Sequence, residues 1–340
     1  MSDRPAGAEA PLLTAAVGMQ NAAGGVLAEL PAQLIIATRQ SPLALWQAEH
    51  VQARLQARLQ ALAPQSVVQL LGMTTEGDRR LGVRLADIGG KGLFVKELET
   101  AMLDGRAHLA VHSMKDVPAE LPPGFVMAAI MQRADVRDVL VSREGYSLLS
   151  LPQNARVGTS SLRRRAQLLL HRPDLQIVDV RGNVGTRMGR IDSGDVVAVV
   201  LAQAGLQRLG ISTHAQVPLT VEQSLPAGGQ GALGIEVRAD SRAVVALVQQ
   251  LADEQTSRCV QAEREVGRLL GGGCTMPLGA FAEQLGDGTL RLRALLAQPD
   301  GRRVLRAEAQ GVDAIALGAS VAADLRAQGA DDILAALAQA

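Results

Sequence analysis

A serine, a lysine and an aspartate stand close together in the stretch Val-His-Ser-Met-Lys-Asp-Val-Pro, residues 111–118. The apolar residues just before it predict the end of a buried strand, and the closing proline should hold Asp116 and Val117 extended. Ser113, Lys115 and Asp116 then meet at a strand end, where ligands usually bind in α/β sheets. An ammonium and a carboxylate there could bind an anion and assist proton transfer. The alternative is a surface turn with a Lys–Asp ion pair.

Cationic and hydroxyl side chains recur near turns that lead into predicted helices. The free N–H groups and the dipole of a helix N-terminus favour anions, and guanidinium groups bind carboxylates with two hydrogen bonds. The candidate residues are Arg39, Ser41, Lys91, Thr159, Ser161, Arg163, Arg164, Arg181, Arg187 and Arg208. The alternatives are an exposed loop charge at Arg39 and a solvated basic helix face at residues 163–165.

A cysteine on a glycine loop indicates a second kind of chemistry. Cys274 follows Gly271-Gly272-Gly273, and because glycine packs little, its sulfur should be accessible at a domain edge. Cys259 lies inside a predicted helix, 257–270, and is interpreted as a small buried hydrophobe. Two cysteines make no disulfide framework and fit a reducing compartment. The alternative for Cys274 is a merely structural thiol.

Hydrophobic periodicity predicts the elements that position these residues. The predicted strands are 34–37, 67–73, 109–111, 126–131, 139–142, 177–180, 196–201 and 233–237. The first three alternate with helices that begin after Ser41 and at residue 93, which is the pattern of a doubly wound half. Residues 132–138 look like a crossover into a second unit, and residues 181–187 look like a glycine-bearing turn. The strand at 233–237 is expected to return to the first unit.

The C-terminal part predicts a small α+β domain. Apolar runs at 278–285, 290–296 and 304–309 are separated by Gly-Asp-Gly and Pro-Asp-Gly turns, which is typical of an antiparallel meander. Helices at about 313–328 and 331–340 should cover one face. The predicted domains are a flexible extension at 1–31, domain 1 at 32–131 and 232–249, domain 2 at 137–225, and domain 3 at 254–340.

Composition excludes several classes of function. Lys plus Arg and Asp plus Glu both number 34, so no global basic field attracts nucleic acid or a membrane surface. The chain has one Trp, one Tyr and three Phe, too few for a base-stacking platform. Five scattered histidines show no metal-ligand spacing, and no apolar run reaches the roughly 18–20 residues of a membrane span. We therefore expect no metal, no nucleic acid and no membrane, and a cytoplasmic protein.

Seven runs give the chain a resemblance to porphobilinogen deaminases, also called hydroxymethylbilane synthases. The runs are IATRQSPLALWQA from Ile36, GGKGLFVKELE from Gly89, AVHSMKDVP from Ala110, VGTSSLRRR from Val157, RGNVGTR from Arg181, LPAGGQGALGIE from Leu225 and GGGCTMPLGAF from Gly271. They stand in family order from about Leu34 to the C-terminus. The resemblance implies an α/β protein of three domains. Two doubly wound domains like those of periplasmic binding proteins surround a cleft, and a small C-terminal α+β domain carries a three-stranded antiparallel sheet.

The same resemblance implies the chemistry. A dipyrromethane cofactor would be held by a thioether to Cys274, and four porphobilinogens would be added head to tail with loss of ammonia before hydroxymethylbilane is released by hydrolysis. Asp116 matches the catalytic aspartate, and the candidate cations and hydroxyls, Ser113 and Lys115 included, would bind the carboxylates of cofactor and substrate. The protein would work as a monomer. Two alternatives are a two-domain binding module without catalysis and a family member that has lost activity and serves as a binding or regulatory protein.

Overall fold

The computed structural model describes residues 29–75, 95–271 and 276–338. The strands are β1 Gln33–Arg39, β2 Val67–Met73, β3 Leu109–Ser113, β4 Phe125–Ile130, β5 Asp138–Ser142, β6 Arg156–Gly158, β7 Gln176–Val178, β8 Ala198–Ala202, β9 Ala215–Pro218, β10 Leu233–Arg238, β11 Leu278–Gln284, β12 Leu290–Ala297 and β13 Val304–Gly311. The helices are α1 Pro42–Leu62, α2 Lys96–Leu103, α3 Leu162–His171, α4 Val184–Asp192, α5 Gln203–Arg208, α6 Arg242–Gln249, α7 Glu254–Leu269, α8 Ala314–Ala327 and α9 Ala330–Ala338.

The first sheet has the strand order β2-β1-β3-β10-β4. Strand β1 pairs in parallel with β2 and β3, whereas β10 runs antiparallel to both β3 and β4. The return of the chain to this sheet at residue 233 is therefore confirmed. Ile36 packs with α1 and α6 on one face, and the next residue, Ala37, packs with α2 on the other. Because both faces are covered, the strands are apolar runs rather than alternating ones.

The second sheet repeats this plan with the strand order β7-β6-β8-β5-β9. Strand β6 is parallel to β7 and β8, and β5 is antiparallel to β8 and β9. Val200 of β8 packs on the same side as Leu168 of α3, whereas Val199 packs on the other side with Met188 of α4. Helices thus cover both faces here too.

The third sheet is the antiparallel meander β11-β12-β13, as the turns predict. Helices α7, α8 and α9 bury their apolar residues on one face of it, and Cys259 of α7 lies in this core at 5% exposure. The α/β class with two mixed sheets and a small antiparallel sheet is confirmed, and so is the interpretation of Cys259. The exact domain bounds remain a prediction.

Three local predictions differ from the structure. Residues 181–187 do not form only a turn, because α4 begins at Val184, where the side chain of Asn183 accepts a hydrogen bond from Thr186 N at 2.9 Å. Helix α7 begins before residue 257 because Asp253 caps it and accepts from Thr256 N at 2.8 Å. Strand β9 is missing from the prediction, since its sequence Ala-Gln-Val-Pro has little apolar character.

The prediction that Pro118 holds Asp116 and Val117 extended is wrong for Asp116 and confirmed for Val117. Residues Met114–Asp116 form a single 3-10 turn, and the extended residue is Val117, with φ −79° and ψ 130°. The physical reason is that a proline restricts only the residue directly before it.

The predicted extension at 1–31 falls mostly outside the described residues, as does the start of the predicted helix at 93. No helix in the described part of the chain is long and apolar enough to cross a membrane.

Candidate functional site

The turn that carries Lys115 and Asp116 packs against neighbouring elements. Ser113, at the end of β3, accepts a hydrogen bond from Gln47 Nε2 of α1 at 2.9 Å. Gly229 packs so closely under the turn that a Cβ there would lie 2.7 Å from Met114 Cβ, and its φ of +75° also favours glycine. The turn is therefore supported by the first sheet and by the 225–231 loop.

Lys115 and Asp116 form no ion pair with each other in the described structure, which counts against the simple surface pair. Asp116 is exposed, and Lys115 is half-buried. Burial lowers the pKa of Lys115 to about 8, opposed by the charge of Asp116 and assisted by Arg164 of the second sheet's helix α3. The residue is thus close enough to both sheets to feel charges from each.

Arg163 and Arg164, in the first turn of α3, are buried around one carboxylate. Arg163 Nη1 donates to Asp138 Oδ2 at 2.8 Å, and Arg164 Nη2 donates to Asp138 Oδ1 at 2.8 Å. Burial would raise the pKa of Asp138, but the two guanidinium groups outweigh it and hold that pKa well below its ordinary value. The solvated-face alternative is therefore wrong for these two arginines, although Arg165 is exposed. Their binding of cofactor or substrate remains a prediction.

Asp138 also accepts hydrogen bonds from the segment that connects the second sheet to the first. Its carboxylate accepts from Ser224 Oγ at 2.7 Å and from Gln230 Nε2 at 2.9 Å. Arg163 donates further to Leu225 O at 2.6 Å. A single buried carboxylate thus joins β5, α3 and the segment that leads back to β10.

We expect Asp138→Asn to destabilise the protein strongly. The change leaves two buried guanidinium groups without a counter-charge, and breaking a buried pair in this way costs about 3–5 kcal/mol. Denaturant unfolding of the two forms measures the difference. The matched control is Asp240→Asn, which removes an exposed ion pair with Arg238 and should shift the midpoint little. Equal midpoints for both variants would show that the Asp138 cluster is not a structural centre.

The remaining candidate hydroxyls act locally as predicted for helix starts. Ser41 caps α1 and accepts from Ala44 N at 3.4 Å, and Ser161 caps α3 and accepts from Arg164 N at 3.4 Å. Thr159 is buried and accepts from Ser161 N at 3.2 Å. Hydrogen bonds to the helix ends already occupy these side chains, so their part in ligand binding remains a prediction.

The candidate arginines are spread over both sheets. Arg39 ends β1. Arg181 donates to Asp179 Oδ2 at 3.1 Å. Arg208 donates to Gly231 O at 2.6 Å and lies 5.8 Å from the ring centre of Trp46 on α1. Arg208 therefore bridges α5 of the second sheet and elements of the first.

Arg187 is the cation best placed for a ligand. It makes one hydrogen bond within the described ranges, from Nε to Gly182 O at 2.8 Å, and no described carboxylate pairs with its terminal nitrogens. Burial and the nearby charge of Arg164 lower its pKa to about 10, while the charge of Asp116 opposes them. Arg187 of the second lobe and Asp116 of the first therefore lie near enough for the charge of one to act on the other.

Two candidate residues, Lys91 and Cys274, lie outside the described residues. The sequence analysis missed three others that organise the site, namely Gln47, Asp138 and Glu263. The Glu263 carboxylate is fully buried and accepts from Arg133 Nη1 at 2.6 Å, Gly229 N at 2.7 Å and Ala282 N at 2.8 Å. No local pattern could have found these residues, because each partner is distant in sequence.

Together these features define a two-lobed α/β protein in which charged side chains of both lobes lie within electrostatic reach of one another. Lys115 and Asp116 come from the first sheet, and Arg187 comes from the second. A guanidinium and an ammonium group that have no carboxylate partner among the described residues suit the carboxylates of a ligand.

Sequences of one protein family match most of the chain. Residues 34–246 match the family described as "Porphobilinogen deaminase, dipyromethane cofactor binding domain", and residues 257–327 match "Porphobilinogen deaminase, C-terminal domain". A porphobilinogen deaminase of Ralstonia nicotianae is 53% identical over 91% of this chain and 93% of its own. One of Bordetella parapertussis is 54% identical over 90% and 96%. A periplasmic substrate-binding protein of Coxiella burnetii is similar in structure, with a TM-score of 0.40 at 14% identity over 66% of this chain and 93% of that chain. The chain belongs to the porphobilinogen deaminase family.

The described residues fit the dipyrromethane cofactor that this family's first domain binds. Each of its two pyrrole rings carries carboxylates, which suit the ammonium of Lys115 and the terminal nitrogens of Arg187, for which the described part of the chain offers no carboxylate. Its pyrrole N–H groups need an acceptor, and the exposed carboxylate of Asp116 is a group of the right chemistry.

Proposed function

We propose that this chain joins four porphobilinogen molecules head to tail, with loss of ammonia, onto a bound dipyrromethane, and then releases hydroxymethylbilane by hydrolysis. The observation that carries the proposal is the position of Asp116, whose carboxylate has no ion-pair partner among the described residues and whose charge acts on the pKa of both Lys115 and Arg187. A ligand with several carboxylates and several pyrrole N–H groups needs this combination of charges.

Asp116 is proposed to be the catalytic residue. When ammonia leaves the aminomethyl group of porphobilinogen, the electron pair of the broken C–N bond goes with it and a cation remains that the pyrrole nitrogen shares. A fixed carboxylate beside that nitrogen stabilises the developing positive charge and can accept or return its proton. Because Asp116 has no described ion-pair partner, its charge is available for this task.

Cys274 is proposed to hold the dipyrromethane by a thioether, which supplies a tethered primer with a reactive pyrrole end. Among the described residues, Cys259 is a poor substitute. It lies in the core of the third sheet, and burial, with the charge of Glu263, raises the pKa of its thiol to about 11.

The arginines and Lys115 are proposed to bind carboxylates as the chain of pyrroles grows. Every added porphobilinogen brings two more carboxylates, so the cleft must supply cations although the protein carries no formal net charge. The proposed contacts are Arg39, Ser41, Lys91, Ser113, Lys115, Thr159, Ser161, Arg163, Arg164, Arg181, Arg187 and Arg208. We further propose that the protein acts as a monomer in the cytoplasm.

Intact-protein mass spectrometry tests this function directly. The purified chain should exceed the mass of its bare polypeptide by one dipyrromethane, and porphobilinogen should add further mass in pyrrole-sized steps. A folded protein that stays at its bare mass with substrate, and that instead binds preformed tetrapyrrole, would favour the binding module without catalysis.

The lowered pKa of Lys115 predicts that kcat/KM decreases on the alkaline side of its pH profile. Below about pH 8 the side chain is an ammonium that can bind a carboxylate, and above it the charge is lost, so kcat/KM for porphobilinogen should fall as pH rises through about 8. Lys115→Arg keeps the charge at every accessible pH and should remove this decrease. A steady-state pH series of both forms from 6.5 to 9.5 measures it, and an unchanged decrease in the variant would assign it to another group.

A further inference from the structure

We propose that Arg264 of α7 is a positioning residue that fixes the backbone behind Asp116. Arg264 Nη1 donates to Val117 O at 3.2 Å, and Nη2 donates to Pro118 O at 2.6 Å and to Ala119 O at 3.0 Å. One guanidinium thus binds three successive carbonyl groups directly after the proposed catalytic aspartate. This inference rests on the proposed role of Asp116.

Among the described residues, these three carbonyls are the hydrogen-bond partners of the guanidinium. Within the described ranges no carboxylate pairs with Arg264, and burial lowers its pKa to about 10. Arg264 is half-buried, and a cation that loses part of its hydration without gaining a counter-charge needs other polar partners, which here are the carbonyl dipoles. The segment 117–119 is therefore fixed to α7 by charge-assisted hydrogen bonds.

The residue before Arg264 supports the same turn from its other end. Glu263 accepts from Gly229 N at 2.7 Å, and Gly229 packs directly against the backbone of Met114 and Lys115. Neighbouring residues of one helix thus hold the segment 114–119 at both ends, with Asp116 between the two contacts.

Helix α7 also leads towards the proposed attachment point, since it ends at Leu269 and Cys274 follows shortly after in the chain. The helix that precedes the proposed primer site therefore contacts the turn that carries the proposed catalytic carboxylate. Arg264 sets where that carboxylate lies relative to the helix, and misplacement of a reacting group by about 1 Å can cost about 10²-fold in rate.

The test compares Arg264→Met with Arg258→Met, a matched control on the same helix. Arg258 Nη2 also donates to two carbonyls, Gly288 O and Val312 O, but both belong to the C-terminal unit. For Arg264→Met we expect kcat to fall about 10- to 100-fold with KM within about threefold of wild type. The control should keep kcat, and Arg264→Lys should recover part of the loss because an ammonium can still donate to these carbonyls.

Hydrogen exchange gives a readout that does not depend on activity. The amides of residues 114–117 and 119 should exchange faster in Arg264→Met than in wild type, and their exchange should be unchanged in Arg258→Met. The proposal would be overturned if Arg264→Met kept both its amide exchange rates and its kcat within twofold of wild type. It would also be overturned if Arg264→Met and Arg258→Met lost kcat equally. If Arg264→Met does not fold, Arg264→Lys takes its place. A folded Arg264→Lys that keeps the wild-type kcat, although the amides around Asp116 exchange faster than in wild type, would also overturn the proposal. A wild-type protein that adds no pyrroles would instead contradict the proposed function. Faster amide exchange around Asp116 in Arg264→Met would then still show that Arg264 fixes this backbone.

Discussion

Replacing Asp116 by Asn is expected to lower the rate of pyrrole addition by at least about 10²-fold while the protein stays folded. The amide has nearly the same size as the carboxylate but carries no charge to stabilise the cation that remains when ammonia leaves. It also cannot accept a proton at neutral pH. Because Asp116 is exposed and makes no described ion pair, its loss should not affect the core. Single-turnover addition of porphobilinogen, followed by mass, measures the rate.

The matched control for this experiment is Glu120→Gln. Glu120 lies on the same segment, and its only described ion pair is a distant one, 3.9 Å from Arg268, at 76% side-chain exposure. This variant should add pyrroles at the wild-type rate. Wild-type turnover in Asp116→Asn would remove the catalytic assignment, whereas equal loss in both variants would point to a general need for negative charge at this edge.

Replacing Cys274 by Ser is expected to abolish stable attachment of the dipyrromethane. A serine hydroxyl is a far weaker nucleophile than a thiolate, so no thioether equivalent should form. The purified variant should have the mass of its bare polypeptide, and without a primer it should add no pyrroles in mass steps. The expected loss of activity is therefore almost complete, although the fold should be retained.

Cys259→Ala is the control for the thiol. Cys259 is buried in the core of the third sheet, so its removal should leave the attached mass unchanged. A Cys274→Ser protein that still carries the added mass would refute the proposed attachment. If only Cys259→Ala lost the added mass, the buried Cys259 would be the attachment point instead.

The strands were predictable because burial on both faces leaves a clear trace in the sequence. Residues 198–201 of β8 are Ala-Val-Val-Leu, and successive residues pack against helices on opposite sides of the sheet. The meander was predictable from its Gly-Asp-Gly and Pro-Asp-Gly turns. The positions of Lys115 and Asp116 at a strand end followed from the same local signals.

Other parts of the site depend on contacts that no local pattern encodes. Arg163 and Arg164 predicted an anion site, and the anion they contact is Asp138, a residue of another strand. Glu263 looks like an ordinary helix residue, although its partners Arg133 and Gly229 are far away in the chain. Strand β9 could not be found because pairing with β5, rather than its own composition, makes it a strand.

The position of β10 in the first sheet has a consequence for synthesis of the chain on the ribosome. This strand lies between β3 and β4, yet it is made only after every strand of the second sheet. Strand β4 therefore has no neighbour to join until residue 233 has emerged, whereas all strands of the second sheet are complete at residue 218. We expect the second lobe to become protease-resistant first on stalled nascent chains, although the first lobe starts earlier. Non-local pairing of this kind is slow to form. The edge of β4 that is still unpaired is therefore the part of the nascent chain that we expect a chaperone to bind.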